Sequence, residues 1–75
     1  MLNPSQLRSL RTDHLDWSAG VMCDELGWTG KNATSHLIDM ETGRKEINMA
    51  TAKHALRIAR EQGFELRDGN WQRTG

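Results

Sequence analysis

Trp17-Ser18-Ala19-Gly20-Val21-Met22-Cys23-Asp24-Glu25-Leu26-Gly27 is followed, across Trp28-Thr29-Gly30-Lys31, by Asn32-Ala33-Thr34-Ser35-His36-Leu37-Ile38-Asp39-Met40-Glu41-Thr42-Gly43. The first segment reads as a short helix. Trp17 is a hydrophobic lead, Ser18 an N-cap, and Val21, Met22, Cys23 and Leu26 form an apolar stripe that stops at Gly27, a residue suited to the left-handed turn ending a helix. Gly20 is its weak point, costing up to about 1 kcal/mol relative to Ala in a helix interior and less in a first turn. A turn follows, with Thr29 or Asn32 available as a cap, and a further helix should start by Asn32. There Ala33, Leu37 and Met40 recur at i, i+4 and i+7 and face the core, while Lys31, Thr34, Ser35, Ile38 and Thr42 turn outward. Thr42-Gly43 stops this helix.

Working outward, Pro4-Ser5 opens an earlier helix, since Pro is tolerated in a first turn where its missing N–H has no partner to lose. Leu7, Leu10 and His14 or Leu15 follow at helical spacing, Arg8 and Arg11 fall on the other side, and the pattern ends near Asp16. Downstream, Arg44-Lys45 make a basic loop and Ile47 returns to the core. A fourth helix of roughly Met49 to Gln62 closes at Gly63. The tail from Phe64 to Arg73 alternates apolar and polar residues about Asp68-Gly69-Asn70, the pattern of a short hairpin. The expected fold is therefore all-α, a compact bundle of four to five helices with a short C-terminal β-hairpin as an addition. Residues 1–63 would form the main domain and residues 64–75 a hairpin or dimerisation arm.

Composition bounds the function. Seventy-five residues make one domain near the lower size limit for a self-sufficient core. No apolar run approaches the roughly 18 residues of a membrane span, and Met1 to Leu10 reads as too polar for a secretory leader. A cytoplasmic protein with no membrane partner is expected. The lone Cys23 is read as a small core residue; by itself it can form no internal disulfide or conventional metal cluster. His14, His36 and His54 lack local metal-ligand spacing, so neither metal nor cofactor is expected. Thr29-Gly30-Lys31-Asn32 echoes the end of a phosphate-binding loop, but Glu25 stands where the first Gly is required and Asn32 where Ser or Thr is required. Asp24 and Glu25 project about 100° apart as helix neighbours and form no catalytic pair. With no nucleophile beside a base, there are no candidate catalytic residues, and the chain is not expected to be an enzyme. Ten basic and ten acidic residues cancel, so any basic face must come from local distribution.

A capped short helix, a turn and a second helix with a small, polar outer face suit reading of a DNA major groove. A helix fits that groove, short polar side chains reach base edges, and a helix N-terminus favours phosphate. Across Leu7 to Gly63 the sequence resembles the Cro and lambda-repressor type of helix-turn-helix regulator. Trp17-Ser18 through Met22-Cys23-Asp24-Glu25-Leu26-Gly27 is similar to that family's second helix. Leu37, Met40, Glu41, Gly43, Arg44, Lys45, Glu46 and Ile47 are similar to the end of its recognition helix and the segment after it. Ala50-Thr51-Ala52, Ala55-Leu56 and Ile58-Ala59 match the helix that follows. The chain departs in three places: Ala19 stands where a phosphate-contacting Gln is common, Met40 where an aromatic is frequent, and Gly27 to Gly43 is about four residues longer than usual.

The resemblance implies a sequence-specific transcriptional regulator, most often a repressor, of phage, plasmid or bacterial origin. Its partner would be double-stranded DNA, bound as a homodimer on an inverted repeat whose half-sites lie about 34 Å apart. Asn32, Thr34, Ser35 and His36 are then the base-contact candidates, and Ser18, Lys31, Arg44 and Lys45 the phosphate-contact candidates. Phe64, Leu66 and Trp71 are the dimerisation candidates, although Trp71 reads equally as tail packing. The same outward residues also read as a solvated helix face. Zero net charge keeps open a second function class, an antitoxin-like or adaptor module binding a protein partner.

Overall fold

The computed structural model describes residues 2–74; Met1 and Gly75, the outer limits of the two expected segments, lie outside the described residues. The elements are α1 (Pro4–Ser9), continued by a π-helical stretch (Leu10–His14), then α2 (Ala19–Leu26), α3 (Ala33–Glu41), α4 (Met49–Glu61), β1 (Phe64–Arg67) and β2 (Asn70–Arg73). Among the described residues there are thus four α-helices, and the tail adds a two-stranded antiparallel sheet.

Asn3 starts α1 with a reciprocal cap: its Oδ1 accepts from the Gln6 N–H at 2.7 Å, and Gln6 Oε1 accepts from the Asn3 N–H at 2.9 Å. After Leu10 the helix widens, and the Leu15 N–H donates to Leu10 O at 2.8 Å. Asp16, at φ 53°, ends the helical run where its pattern ran out in the sequence. Leu7 and Leu10 are fully buried, and His14 and Leu15 are half-buried.

The core is built from Leu7, Leu10, Met22, Leu37 and Met40, with Ala52, Ala55, Ile58 and Ala59 of α4 against them. The small Ala side chains let that helix sit close to its neighbours. Val21 departs from expectation: it is 42% exposed, because Met22, Cys23 and Leu26 define the buried arc of α2 and Val21 lies about 100° outside it.

The tail belongs to this same core. Asp68 (φ 51°) and Gly69 (φ 81°) are both left-handed, as a two-residue hairpin turn requires, and the strands pair Phe64 with Arg73 and Leu66 with Trp71. Phe64 and Trp71 are buried in the core cluster, and Trp71 Nε1 donates to Gln6 O at 2.8 Å. Residue 64 therefore marks a change of secondary structure within one core. Among the described residues, no helix is long and apolar enough to cross a membrane.

Candidate functional site

The region of interest is built by α2, the turn after it and α3. Ser18 caps α2, its Oγ accepting from the Val21 N–H at 3.2 Å. Gly27, at φ 78°, ends the helix, and the Trp28 N–H donates back to Cys23 O at 2.9 Å. The four residues Thr29 to Asn32 then form a turn, with Gly30 at φ 103°, and α3 begins only at Ala33. Thr29 to Asn32 is thus loop, not an added first turn of α3. Asn32 occupies the cap position of α3, but its side chain makes no capping hydrogen bond.

Lys31, Asn32, Thr34 and Ser35 are all exposed. With 100° between successive helix residues, Thr34, Ile38, Thr42 and Ser35 fall within an arc of about 100°, opposite the buried Leu37 and Met40. His36 sits at the edge of this face, half-buried, its ring 5.0 Å from that of Trp28 and tilted by 50°. Lys45 Nζ lies 3.3 Å from His36 Nδ1. Trp28, Lys31, Asn32 and His36, together with Asn48 and Thr51 at the start of α4, line one open cleft of about 450 Å³.

The cations flank the face at both ends. Lys31 precedes α3; Arg44 and Lys45 follow it, held there because both of their backbone N–H groups donate to Asp39 O, at 2.8 and 3.1 Å. Lys45 Nζ is also 3.8 Å from Asp39 Oδ2. Of the acids here, Asp39 thus faces Lys45, while Glu46 is exposed in the same loop. Ser18 lies apart, at the N-terminus of α2, already engaged as its cap.

Behind the face is an ion pair that the sequence reading missed. Arg11 Nε donates to Glu41 Oε2 at 2.7 Å and Nη2 to Oε1 at 2.9 Å, and Nη1 donates to Trp17 O at 3.0 Å. Glu41 is 5% exposed. The hydrogen bond to Glu41 raises the Arg11 pKa further above its ordinary value, against the opposing effect of burial. One guanidinium thereby ties the first helical run, the approach to α2 and the C-terminus of α3. The sequence reading puts Arg11 on the outward side of its helix; four residues beyond the buried Leu7, about 40° of arc away, it faces inward instead.

Comparisons with family models, curated proteins and solved structures find no match.

Phe64 and Trp71, read as dimerisation candidates, are packed inside their own chain, and Leu66 is half-buried. For Trp71 the tail-packing alternative is the one the fold adopts, because its indole is buried in the core cluster and its N–H is satisfied by Gln6 O of α1. Trp28 and Asn48 gain a place in the region that the sequence reading did not give them. Asn48 carried a usable signal: Asn just before an Ala-rich helical pattern marks an N-cap, and its Oδ1 accepts from the Thr51 N–H at 2.8 Å.

Proposed function

We propose that this chain is a sequence-reading DNA-binding protein of the helix-turn-helix kind, a transcriptional regulator that lays α3 in the major groove of double-stranded DNA. The observation that carries this reading is the outer face of α3. Its exposed side chains are Thr34, Ser35, Ile38 and Thr42, short or uncharged, with Lys31 before the helix and Arg44 and Lys45 after it. Small hydroxyl side chains allow a helix to approach base edges, and flanking cations suit the phosphates on either side of a groove. Asn32, freed from capping, can pair bidentately with adenine, and His36 reaches the same cleft from its edge. Lys31, Arg44 and Lys45 take the phosphate role. Ser18 keeps only its hydroxyl proton to offer a phosphate, since its oxygen caps α2.

A two-fold dimer on an inverted repeat remains part of this proposal, but it needs a surface other than Phe64 and Trp71. The second reading, a module that binds a protein partner, is favoured by the zero net charge and by the 45% exposure of Ile38. A salt series separates the two. Binding is measured to a duplex taken from upstream of the protein's own gene and to a scrambled duplex. A preference for the former, with affinity falling steeply as salt rises, supports DNA recognition. Weak, equal and salt-insensitive binding to both contradicts it and favours the protein partner.

A further inference from the structure

Ile38 is the feature of the α3 face that small polar chemistry leaves unexplained. It is 45% exposed, near the middle of a nine-residue helix, and within about 100° of arc it has Thr34 and Ser35 a turn before it and Thr42 a turn after. Thr42 Oγ1 is already turned back onto the helix, donating to Ile38 O at 2.9 Å, so its methyl group rather than its hydroxyl is left for an outside partner. The centre of the face is therefore an apolar patch of one branched side chain and one methyl, rimmed by hydroxyls and flanked by cations.

Resting on the DNA-binding reading above, we infer that Ile38 is a specificity-determining residue that packs on the 5-methyl group of a thymine in the major groove. Of the four bases only thymine offers an apolar group there, so an aliphatic side chain in the middle of a groove-facing helix gains from thymine and leaves the other bases' polar edges unpaired. A protein interface would be the other use of an exposed Ile. A single aliphatic residue within a ring of short polar ones is small for a protein anchor, and the flanking Lys31, Arg44 and Lys45 match phosphate.

The test removes the methyl from each partner in turn. The wild-type protein selects its preferred duplex from a randomised pool. Every thymine of that duplex is then replaced singly by deoxyuridine, which differs only in lacking the methyl. Affinities are measured for wild type and for Ile38→Ala, with circular dichroism confirming that this exposed substitution leaves the fold intact. At one thymine per bound copy the swap should weaken the wild type about three- to fivefold, the worth of one buried methyl group, and should leave Ile38→Ala unaffected. Equal responses of the two proteins at every thymine, or a selected site with no required thymine, overturn the Ile38 assignment while DNA binding stands. Failure to enrich any sequence overturns the DNA-binding reading and the assignment with it.

Discussion

Arg11 and Glu41 meet through two hydrogen bonds although they are 30 positions apart, and nothing in local spacing announces such a pair. Both are charged, and the outward assignment of Arg11 overlooked that it lies four residues, about 40° of helical arc, beyond the buried Leu7. Removing one partner should be costly, because the other charge stays in a poorly solvated place. Glu41→Ala is expected to lower unfolding free energy by about 3 kcal/mol, read by urea denaturation. The paired change Arg11→Met with Glu41→Leu should restore much of that loss. Cys23 was legible as a core residue, and at 3% exposure it is one. Burial pushes its thiol pKa up, helped by Asp24 and Glu41. The unfolded thiol therefore ionises first. The stability this group contributes is complete below the ordinary thiol range and is lost as pH rises through the raised value. Two results are expected: slow alkylation of folded protein at mildly alkaline pH with rapid labelling in denaturant, and a flatter alkaline loss of stability in Cys23→Ala.

At the scale of elements, the sequence was most readable where a backbone conformation demands a residue type. Ser18, Gly27 and the Asp68-Gly69 turn each reported their own geometry, because few side chains cap α2, tolerate φ 78° at its end or sustain two left-handed residues in a row. The turn between Gly27 and Ala33 was harder. Both Thr29 and Asn32 resemble caps, and only packing decides that the helix waits until Ala33 and leaves Asn32 uncapped. A Gly27→Ala variant meets no atom within 4 Å, so its cost is backbone strain alone, about 1 to 2 kcal/mol. Asn48→Ala should cost about 1 kcal/mol through the lost cap of α4. Both are checked by thermal unfolding. Asn48→Ala has a second readout, since it also alters the cleft beside Asn32: a changed affinity for duplex DNA beyond the stability loss would place α4 at the interface.

The whole molecule is closed by its tail. The alternation of Phe64, Leu66 and Trp71 made the hairpin legible, but alternation cannot say whether a ribbon covers its own helices or another chain's. The bond from Trp71 to Gln6 O and the burial of Phe64 show that it covers its own. Trp71→Ala should accordingly destabilise the fold by about 3 to 5 kcal/mol, seen as a lowered thermal midpoint. Charge, too, is a whole-molecule property that composition obscured: the total is zero, yet three lysines and arginines bracket the outer face of α3. The most direct test of whether that face meets DNA is an NMR titration of isotope-labelled protein with a 20-base-pair duplex at low salt, following every backbone amide. Recognition through α3 predicts shifts concentrated from Lys31 to Lys45, with the hairpin residues Phe64 to Arg73 unmoved. Shifts confined to the hairpin or to the exposed side of α4, or no shifts at saturating duplex, would contradict it.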